Sequence, residues 1–210
     1  MATAAQMALF KSSNTVSGVD SLGGGISATQ ITNGASNNLF ISLPAAERTT
    51  GKDQYKLFYI KNLSGETVKN FKLWLSAVAS NSDTVVKFGR GSSGKNGTEQ
   101  TIANINTAPT GITWRTLTGV PSDNTITTFD ANDVYPIWLW WHINAVSSGA
   151  VNYGFADDFA LFTFRFDLTT GGTTPPPTDP GGGGGGGGTP PPNNTNYKLA
   201  IIGDEGCETR

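Results

Sequence analysis

The chain has 210 residues, of which 14% are charged, with a net charge of −2, one cysteine and one histidine. This near-neutral balance gives no electrostatic basis for capturing nucleic acid or an anionic membrane surface. The single cysteine, Cys207, excludes an internal disulfide framework. No apolar run reaches the roughly 18 residues of a membrane-spanning helix. We therefore expect no nucleic-acid partner, no membrane insertion, and a fold stabilised by burial of apolar side chains alone.

Residues 1–54 are low in charge and rich in Gly, Ser, Thr and Asn, with apolar islands at residues 7–10 and 39–43. These islands are either short strands or parts of an extended N-terminal arm. Such an arm either packs on a neighbouring subunit or forms a loosely ordered leader. The triplet Gly23 to Gly25 has the composition of a hinge and lacks the Lys-Ser/Thr pair of a phosphate-binding loop.

Residues 55–168 alternate as β-strands do, with turn residues between successive apolar stretches. In the first stretch, Tyr55, Leu57 and Tyr59 fall on one face, opposite Phe58 and Ile60. No helical periodicity stands out. The pattern predicts an all-β fold, an antiparallel β-sandwich of the jelly-roll or immunoglobulin-like kind. Its strands are predicted at residues 55–62, 71–78, 84–89, 112–117, 125–129, 133–143 and 156–168.

The strand predicted at residues 133–143 contains three of the five tryptophans and the only histidine. Alternation puts the odd-numbered residues from Tyr135 to Ile143 on one face, and Trp138, Trp140 and His142 on the other. We expect the first face to fill the core. The second face is covered by another layer of the same chain, by a partner protein, or by a sugar stacked on the tryptophans.

Trp138, Trp140 and His142 are therefore the candidates for an interface or a ligand site. His142 has no Ser-Asp or Cys partner near it in the sequence. We expect a hydrogen-bonded strand histidine, and we assign no catalytic residue. In the turn before the strand, Asp130, Asn132 and Asp133 partly match a calcium loop. The Gly and distal Glu of an EF-hand are missing, so a turn capped by its own side chains is expected.

Residues 169–196 have a different composition from the rest of the chain. Two Pro-Pro-Pro triplets, at residues 175–177 and 190–192, flank eight consecutive glycines at residues 181–188. Polyproline is stiff and polyglycine is freely jointed, and neither supplies apolar side chains for a core. The segment is predicted to be a disordered tether between two domains.

Residues 197–202 form a continuous apolar run that ends in Gly203-Asp204-Glu205-Gly206. We interpret residues 197–210 as the first strand and turn of a truncated α/β domain, or as a simple turn at the end of a tail. A carboxylate at the end of such a strand is where open α/β sheets bind ligands and metals. The segment resembles the first motif of the purple-acid-phosphatase-like metallophosphoesterases.

That resemblance implies a metal-ligating role for Asp204 alone, and divalent metal ions as cofactors of a longer parent protein. A two-metal hydrolase needs several more His, Asp and Asn ligands. None of these follows Asp204 before Arg210. The chain as given is therefore expected to hold no cofactor and to have no enzymatic activity.

Four further segments have a recognisable order and spacing. They are YKLFYIKNLSG at residues 55–65, NGTEQTIAN at 96–104, APTGITW at 108–114 and YPIWL at 135–139. Together they resemble a domain of tailed-phage structural proteins. In that domain an I-K-N strand comes first, an A-P-T-G-hydrophobic-x-F segment follows, and a P-I-W-hydrophobic-R-R strand comes near the end. This chain has Trp140 and Trp141 where the pattern has two arginines.

The resemblance implies a protein of the virion surface, either a capsid decoration or a tail-associated subunit. It implies other virion proteins as partners, a homo-oligomeric assembly and a tether that displays a further domain. One alternative is a carbohydrate-binding or adhesion module that recognises a host surface glycan through exposed tryptophans. Another is an accessory domain that delivers a metallophosphoesterase to phosphate esters.

Overall fold

The structure is a computed structural model, and it describes residues 7–32, 39–40, 50–78, 84–116, 125–145, 159–168 and 193–200. Within these ranges the regular elements are all strands. No helix in them has the length and apolar character needed to cross a bilayer. The strands are β1 Met7–Ser12, β2 Gly23–Gly24, β3 Ile26–Ile31, β4 Lys52–Asn62, β5 Val68–Val78, β6 Thr84–Arg90, β7 Glu99–Thr101, β8 Thr125–Phe129, β9 Val134–Ile143, β10 Phe159–Leu168 and β11 Asn193–Ala200.

The strands form two large sheets. One has five strands in the order β3-β1-β4-β9-β6, and the other has four in the order β11-β10-β5-β8. Neighbouring strands pair antiparallel throughout, and β2 pairs with β7 in a separate two-stranded sheet. The prediction of an all-β, antiparallel β-sandwich is confirmed.

The Trp-rich strand is β9, and it lies inside the five-stranded sheet. It pairs with β4 from Lys52↔Ile143 to Lys61↔Val134, and with β6 from Thr84↔Ile143 to Arg90↔Ile137. Because β9 has a strand on each side, both of its main-chain edges are hydrogen bonded. Its side chains are therefore the part of it that can meet a ligand or a partner.

The main core lies between the two large sheets. The five-stranded sheet contributes the even-numbered apolar residues of β4 and the odd-numbered ones of β9, as the alternation predicts. Burial on this scale, at about 25 cal/mol per Å² of apolar surface, is the dominant stabilising contribution. The fully buried members with the largest side chains are Phe40, Phe58, Phe71, Phe88, Phe129 and Trp141.

The opposite face of the five-stranded sheet is also covered by this chain. Tyr55, Leu57, Tyr59 and Trp138 pack there with Leu22 and Ile102, and we call this group the outer cluster. Its cover comes from the loops around β2 and β7. Burial on both faces explains why β4 and β9 have nearly continuous apolar sequences.

The N-terminal residues belong to the sandwich wherever the structure describes them. The island at residues 7–10 is part of β1, which pairs with β4 from Met7↔Asn62 to Lys11↔Phe58. Leu39 and Phe40 are buried in the main core, where the Phe40 ring packs edge-on against Trp141 with centroids 5.4 Å apart. Of the two alternatives for residues 7–10, a short strand or an extended arm, the structure shows a strand, and the apolar side chains of both described islands complete this chain's own core.

The glycine triplet is a pairing site instead of a hinge. Gly23 and Gly24 form β2, and Gly23 has a φ of 102°. A Cβ at Gly23 would lie 2.0 Å from the carbonyl oxygen of Gln100. Glycine is therefore required for the main chain to approach β7 this closely.

One predicted strand is not observed as a strand in the described residues, and one observed strand was not predicted. Residues 112–117 were expected to form a strand, but the described part of that segment makes only an isolated bridge between Arg115 and Phe88. Its apolar side chains, Ile112 and Trp114, pack on the outer cluster instead. The short strand β7 escaped prediction because its sequence, Glu-Gln-Thr, is polar.

The C-terminal strand begins earlier than expected. β11 starts at Asn193, inside the range assigned to the tether, and pairs with β10 from Phe166↔Asn193 to Phe159↔Ala200. Main-chain hydrogen bonds to an edge strand do not require apolar side chains, so composition misplaced this boundary. The remainder of the tether and Asp204 lie outside the described residues.

Candidate binding site at the end of the Trp-rich strand

Trp138, the first of the three candidates, is a core residue. Its side chain is 0% exposed and packs in the outer cluster with Leu57 and Tyr59. Residues of the same chain supply its cover. Trp138 is therefore removed from the set of residues that can touch a ligand or a partner.

Trp140 is partly buried, and both faces of its indole are occupied. The ring stands between its two cross-strand neighbours, Tyr55 on β4 and Lys87 on β6. Tyr55 stacks on it at 15° with centroids 6.3 Å apart, and the Lys87 ammonium lies 4.3 Å from the ring centroid. This cation–π contact fills the place that a stacked sugar would need. Trp140 is thus a poor platform for stacking.

The edge of the same indole makes a directed contact. Its Nε1–H donates a hydrogen bond of 2.7 Å to Oδ1 of Asp53. Trp114 packs against both Trp140 and Tyr55, with centroids 5.8 Å and 5.6 Å away. Burial raises the pKa of the Tyr55 hydroxyl, and the charge of Asp53 adds to that effect. The Tyr55 hydroxyl therefore stays protonated at neutral pH.

His142 forms a fixed group with Asp53 and Asn144. Its Nδ1 lies 2.7 Å from Asp53 Oδ1, and its Nε2 lies 3.0 Å from Asn144 Oδ1. The imidazole also packs edge-on against Trp140. The side chains of His142 and Asp53 are 34% and 43% exposed, so solvent reaches this end of the Trp-rich strand. The expectation of a hydrogen-bonded strand histidine is confirmed.

An open depression of about 480 Å³ lies beside this group, and we call it the end depression. It is formed where β4 begins and β9 ends. At its base Gly51 has a φ of 71°, and a Cβ there would lie 2.9 Å from the main-chain nitrogen of Ala145. Its lining includes Lys52, Asp53, Asn106, His142, Asn144 and Ala145.

Asn106 closes the rim of the end depression from a loop. Its Nδ2 donates to the main-chain oxygen of Asp53 at 2.7 Å, and its own main-chain N–H is capped by Asn104 Oδ1 at 2.9 Å. This leaves Oδ1 of Asn106 and Oδ2 of Asp53 as acceptors with no hydrogen-bond partner in the described part of the chain. Chemically, the site can accept hydrogen bonds from a ligand.

The sequence alone did not indicate Asp53, Asn106, Asn144 or Lys87. One signal was available for Asp53, because it lies two residues before Tyr55 and so shares its face. Its pairing with His142 depends on the β4–β9 register, which no local pattern specifies. Asn106 comes from a loop whose position depends on the whole fold.

The segments that carry the phage resemblance contact one another in the structure: Lys56↔Leu139 to Ile60↔Tyr135 pair between β4 and β9, and the Glu99 N–H donates to the Tyr59 hydroxyl at 3.3 Å. Two asparagines tie these segments to the neighbouring turns. Asn62 is fully buried and donates to the main-chain oxygens of Phe129 and Asp130 at 2.9 Å and 3.1 Å. Asn96 accepts from the Val134 N–H at 2.8 Å, at the start of β9. The two asparagine side chains hydrogen bond main-chain groups at turns, and Asn is well suited to this role.

Glu99 and Gln100 continue this network. Glu99 is 3% exposed and accepts hydrogen bonds from the Ser92 hydroxyl and from the hydroxyl and N–H of Ser93, each at 3.0 Å. Burial alone would raise the pKa of Glu99, but these bonds outweigh it and hold the pKa below its usual value. Gln100 bonds Thr110 through both ends of its amide, at 2.6 Å and 2.9 Å.

The turn that partly matched a calcium loop is a capped turn, as expected. The Lys95 ammonium lies 2.8 Å from Asp133 Oδ2, which also accepts from the Asp130 N–H at 2.8 Å. Thr67 donates to Asp130 Oδ1 at 2.7 Å. Burial of Asp133 is outweighed by bonds from Asn96 and Lys95, so its pKa is lowered. In the described ranges, no three His, Cys, Asp or Glu side chains are placed to hold a metal ion.

No protein-family model matches this chain, and no curated protein matches it either. Among solved structures, it is similar to a family 123 glycoside hydrolase from Clostridium perfringens that acts on glycolipid glycans. Identity is 8%, coverage is 73% of this chain and 21% of the hydrolase, and the TM-score is 0.25. It is also similar to AvmM, which catalyses macrocyclization in alchivemycin A biosynthesis. The sequence identity is 10%, the match covers 95% of this chain and 98% of AvmM, and the TM-score is 0.25. The chain spans about a fifth of the hydrolase, and at these TM-scores neither protein informs the function of this one.

Proposed function

We propose that this chain is a structural protein of a tailed-phage virion, a capsid decoration or tail-associated subunit located on the virion surface. The sandwich is the part that assembles on the particle. The Gly/Pro segment precedes β11, which pairs with β10 of the sandwich, so a further C-terminal domain of a longer parent protein would be displayed from the end of β11. The observation that carries this proposal is that the four segments bearing the phage resemblance form one connected unit.

The connections explain why particular residue types occur in that pattern. Asn62 of the I-K-N strand binds the turn that leads into β9, and Asn96 binds the first residue of β9. Gln100 binds Thr110 of the A-P-T-G segment. Asn62 is fully buried, so replacing it would leave main-chain groups unpaired away from water, whereas Asn96 and Gln100 fix loops at the surface. The pattern thus consists of residues that determine one structural unit, which supports a shared domain.

Assembly contacts are expected at strand edges and loops. The Trp-rich strand was a candidate for contact with a neighbour, but its first face is covered by the main core and Trp138 on its second face is covered by the outer cluster. Only the His142 end of the second face is left open to a ligand. We therefore assign the contacts with other virion proteins, and with copies of this chain, to strand edges and loops and not to the buried Trp138. The proposal involves no catalysis by the sandwich.

The tethered domain is the second part of the proposal. From the resemblance of Asp204 to a metallophosphoesterase ligand, we assign divalent metal ions to a longer parent protein. Sequencing the gene beyond Arg210 tests this part directly. An open reading frame with downstream His and Asn ligands is expected, and a stop codon after Arg210 would contradict it.

Electron microscopy of the source particle tests the main proposal. We expect density for the sandwich in symmetry-related copies, and immunogold labelling of intact particles by an antibody against residues 55–168. Purified chain is expected to bind particles stripped of it. A chain that stays monomeric and never accompanies purified particles would rule the proposal out.

A further inference from the structure

We propose that the end depression beside Asp53 and His142 is a binding site for a neutral saccharide, held through its hydroxyl groups. The proposal deepens the assigned surface role and rests on it, because a host glycan is reached only by a protein on the outside of the particle. It differs from recognition by exposed tryptophans, since Trp138 is buried and both faces of Trp140 are occupied.

The side chains of the site are already fixed in place. Asp53 Oδ1 receives the Trp140 indole N–H and faces the imidazole of His142, each at 2.7 Å. Asn144 holds the other ring nitrogen, and Asn106 is anchored to the Asp53 main chain. Preorganised groups lose little conformational entropy when a ligand binds. A small polar ligand can therefore bind here without rearranging the site.

The unused atoms of the site specify the chemistry of the ligand. Oδ2 of Asp53 and Oδ1 of Asn106 are acceptors without a partner in the described residues, and both belong to side chains that line the end depression. Acceptors require donors, so the ligand must present hydroxyl or N–H groups. A carboxylate oxygen and an amide oxygen can each accept from a sugar hydroxyl, and the charge of the carboxylate strengthens the hydrogen bond to Asp53.

The charge of the lining argues for a neutral ligand. The residues that line the end depression include Lys52 and Asp53, which carry opposite charges. These opposite charges favour neither a cation nor an anion strongly. The volume of about 480 Å³ falls in the range of small-molecule sites, which is about 300–1,000 Å³. Polar groups predominate among the residues that form it, which disfavours an apolar ligand.

The test uses the full chain labelled with ¹⁵N. The methyl glycosides of glucose, galactose, mannose and N-acetylglucosamine are titrated one at a time, and the Trp140 indole N–H is followed by NMR. This proton reports on the site because it is bonded to Asp53. The same protein is applied to an array of neutral glycans. We expect at least one of these sugars to shift the Trp140 signal in a saturable manner.

Two variants and a control locate the binding. Asn106→Ala and Asp53→Asn each remove one acceptor, and we expect each to weaken binding at least tenfold. Gln100→Ala removes three hydrogen bonds between β7 and Thr110, outside the end depression, and should bind as the parent does. Thermal melting of all three confirms the fold, and Asn106→Ala suffices if Asp53→Asn fails to fold.

Three outcomes would overturn the inference. They are an unmoved Trp140 signal with every sugar, equal binding by parent and both variants, and preferential binding of choline or phosphate that disappears with salt. None of these affects immunogold labelling of the particle. Labelled particles without sugar binding contradict this inference alone, whereas sugar binding by a chain absent from particles contradicts only the virion role.

Discussion

The two faces of β9 show how one strand can serve both stability and recognition. The face towards the main core is uniformly buried, from Ile137 to Ile143. The opposite face changes along its length, from Trp138 at 0% exposed to His142 at 34%. The cover over each side chain, more than its type, decides its role. Tryptophan is a core residue at Trp138, whereas Trp140 supports a polar site.

The largest effect should come from removing the buried indoles. Trp141→Ala in the main core and Trp138→Ala in the outer cluster are each expected to lower the free energy of unfolding by about 3–5 kcal/mol. Trp140→Ala should cost less, because its side chain is only partly buried. Urea denaturation measures all three. If Trp138→Ala costs no more than Trp140→Ala, the outer cluster is not an integral second core.

A smaller loss is expected for the buried amide that joins β4 to the turn before β9. Asn62→Ala removes the side-chain hydrogen bonds to the Glu66, Phe129 and Asp130 carbonyls and to the Ser64 N–H. Of these groups, the Asp130 carbonyl keeps a second donor, the Asp133 N–H at 3.0 Å. The free energy of unfolding should fall by about 2–3 kcal/mol. Asn106→Ala is the matched control, because that side chain is exposed and should cost under about 1 kcal/mol. Equal losses for the two variants would contradict the role assigned to Asn62.

Acid should destabilise the protein through Glu99. The folded-state pKa of Glu99 is lower than the 4.5 of a free side chain. Its contribution is therefore complete above pH 4.5 and is lost as the pH falls through the folded-state pKa. Asp20 and Asp133 act in the same direction below their free value of 3.8.

Glu99→Gln isolates this contribution. The variant should be less stable than the parent at neutral pH by about 1–3 kcal/mol, because an amide replaces a charged acceptor. The difference should shrink as the pH falls, since the amide does not titrate. Urea denaturation from neutral pH down past 4.5 measures both curves. A constant difference across that range would show that the carboxylate charge is not what matters.

The smallest effect concerns the cation that covers Trp140. Lys87→Met keeps the aliphatic chain and removes the ammonium, so the free energy of unfolding should drop by about 0.5–1 kcal/mol. Lys61→Met, on the neighbouring strand β4, is the control and should change it less. The variant also tests the saccharide site. If sugars bind Lys87→Met more tightly than the parent, the ligand stacks on Trp140 instead of occupying the end depression.

The fold could be predicted from the sequence where apolar periodicity and turn residues determine the local structure. The two faces of β4 and β9 follow from alternation, and the capped turn at Asp130 and Asp133 follows from missing calcium ligands. The segment containing Ile112 and Trp114 was mistaken for a strand because apolar alternation alone cannot distinguish a ladder from a loop that covers a sheet. Whether an alternating segment becomes a strand depends more on the distant segment that it pairs with than on the β-propensity of its own residues.

Only some residues of the candidate site could be predicted from the sequence. His142 drew attention as the only histidine, and Trp140 through the departure from the two-arginine pattern. Asp53 gives the site its polarity, yet it lies 89 positions from His142 in the chain. Only the register between β4 and β9 brings the two together. The register between β6 and β9 in turn places Lys87 over Trp140 and so changes the expected role of the tryptophan.

The central position of β9 also has a consequence for biosynthesis. During synthesis β4 cannot pair with β9 until β9 has been translated, because Lys52 pairs with Ile143. Pairing over such separations in sequence is slow, because loop closure precedes the contacts that compensate for it. Until then the apolar faces and open edge of β4 are exposed to other nascent chains. Translational pausing before residue 134, or a shortage of chaperones, should therefore reduce the soluble yield more than the stability of the finished sandwich would suggest.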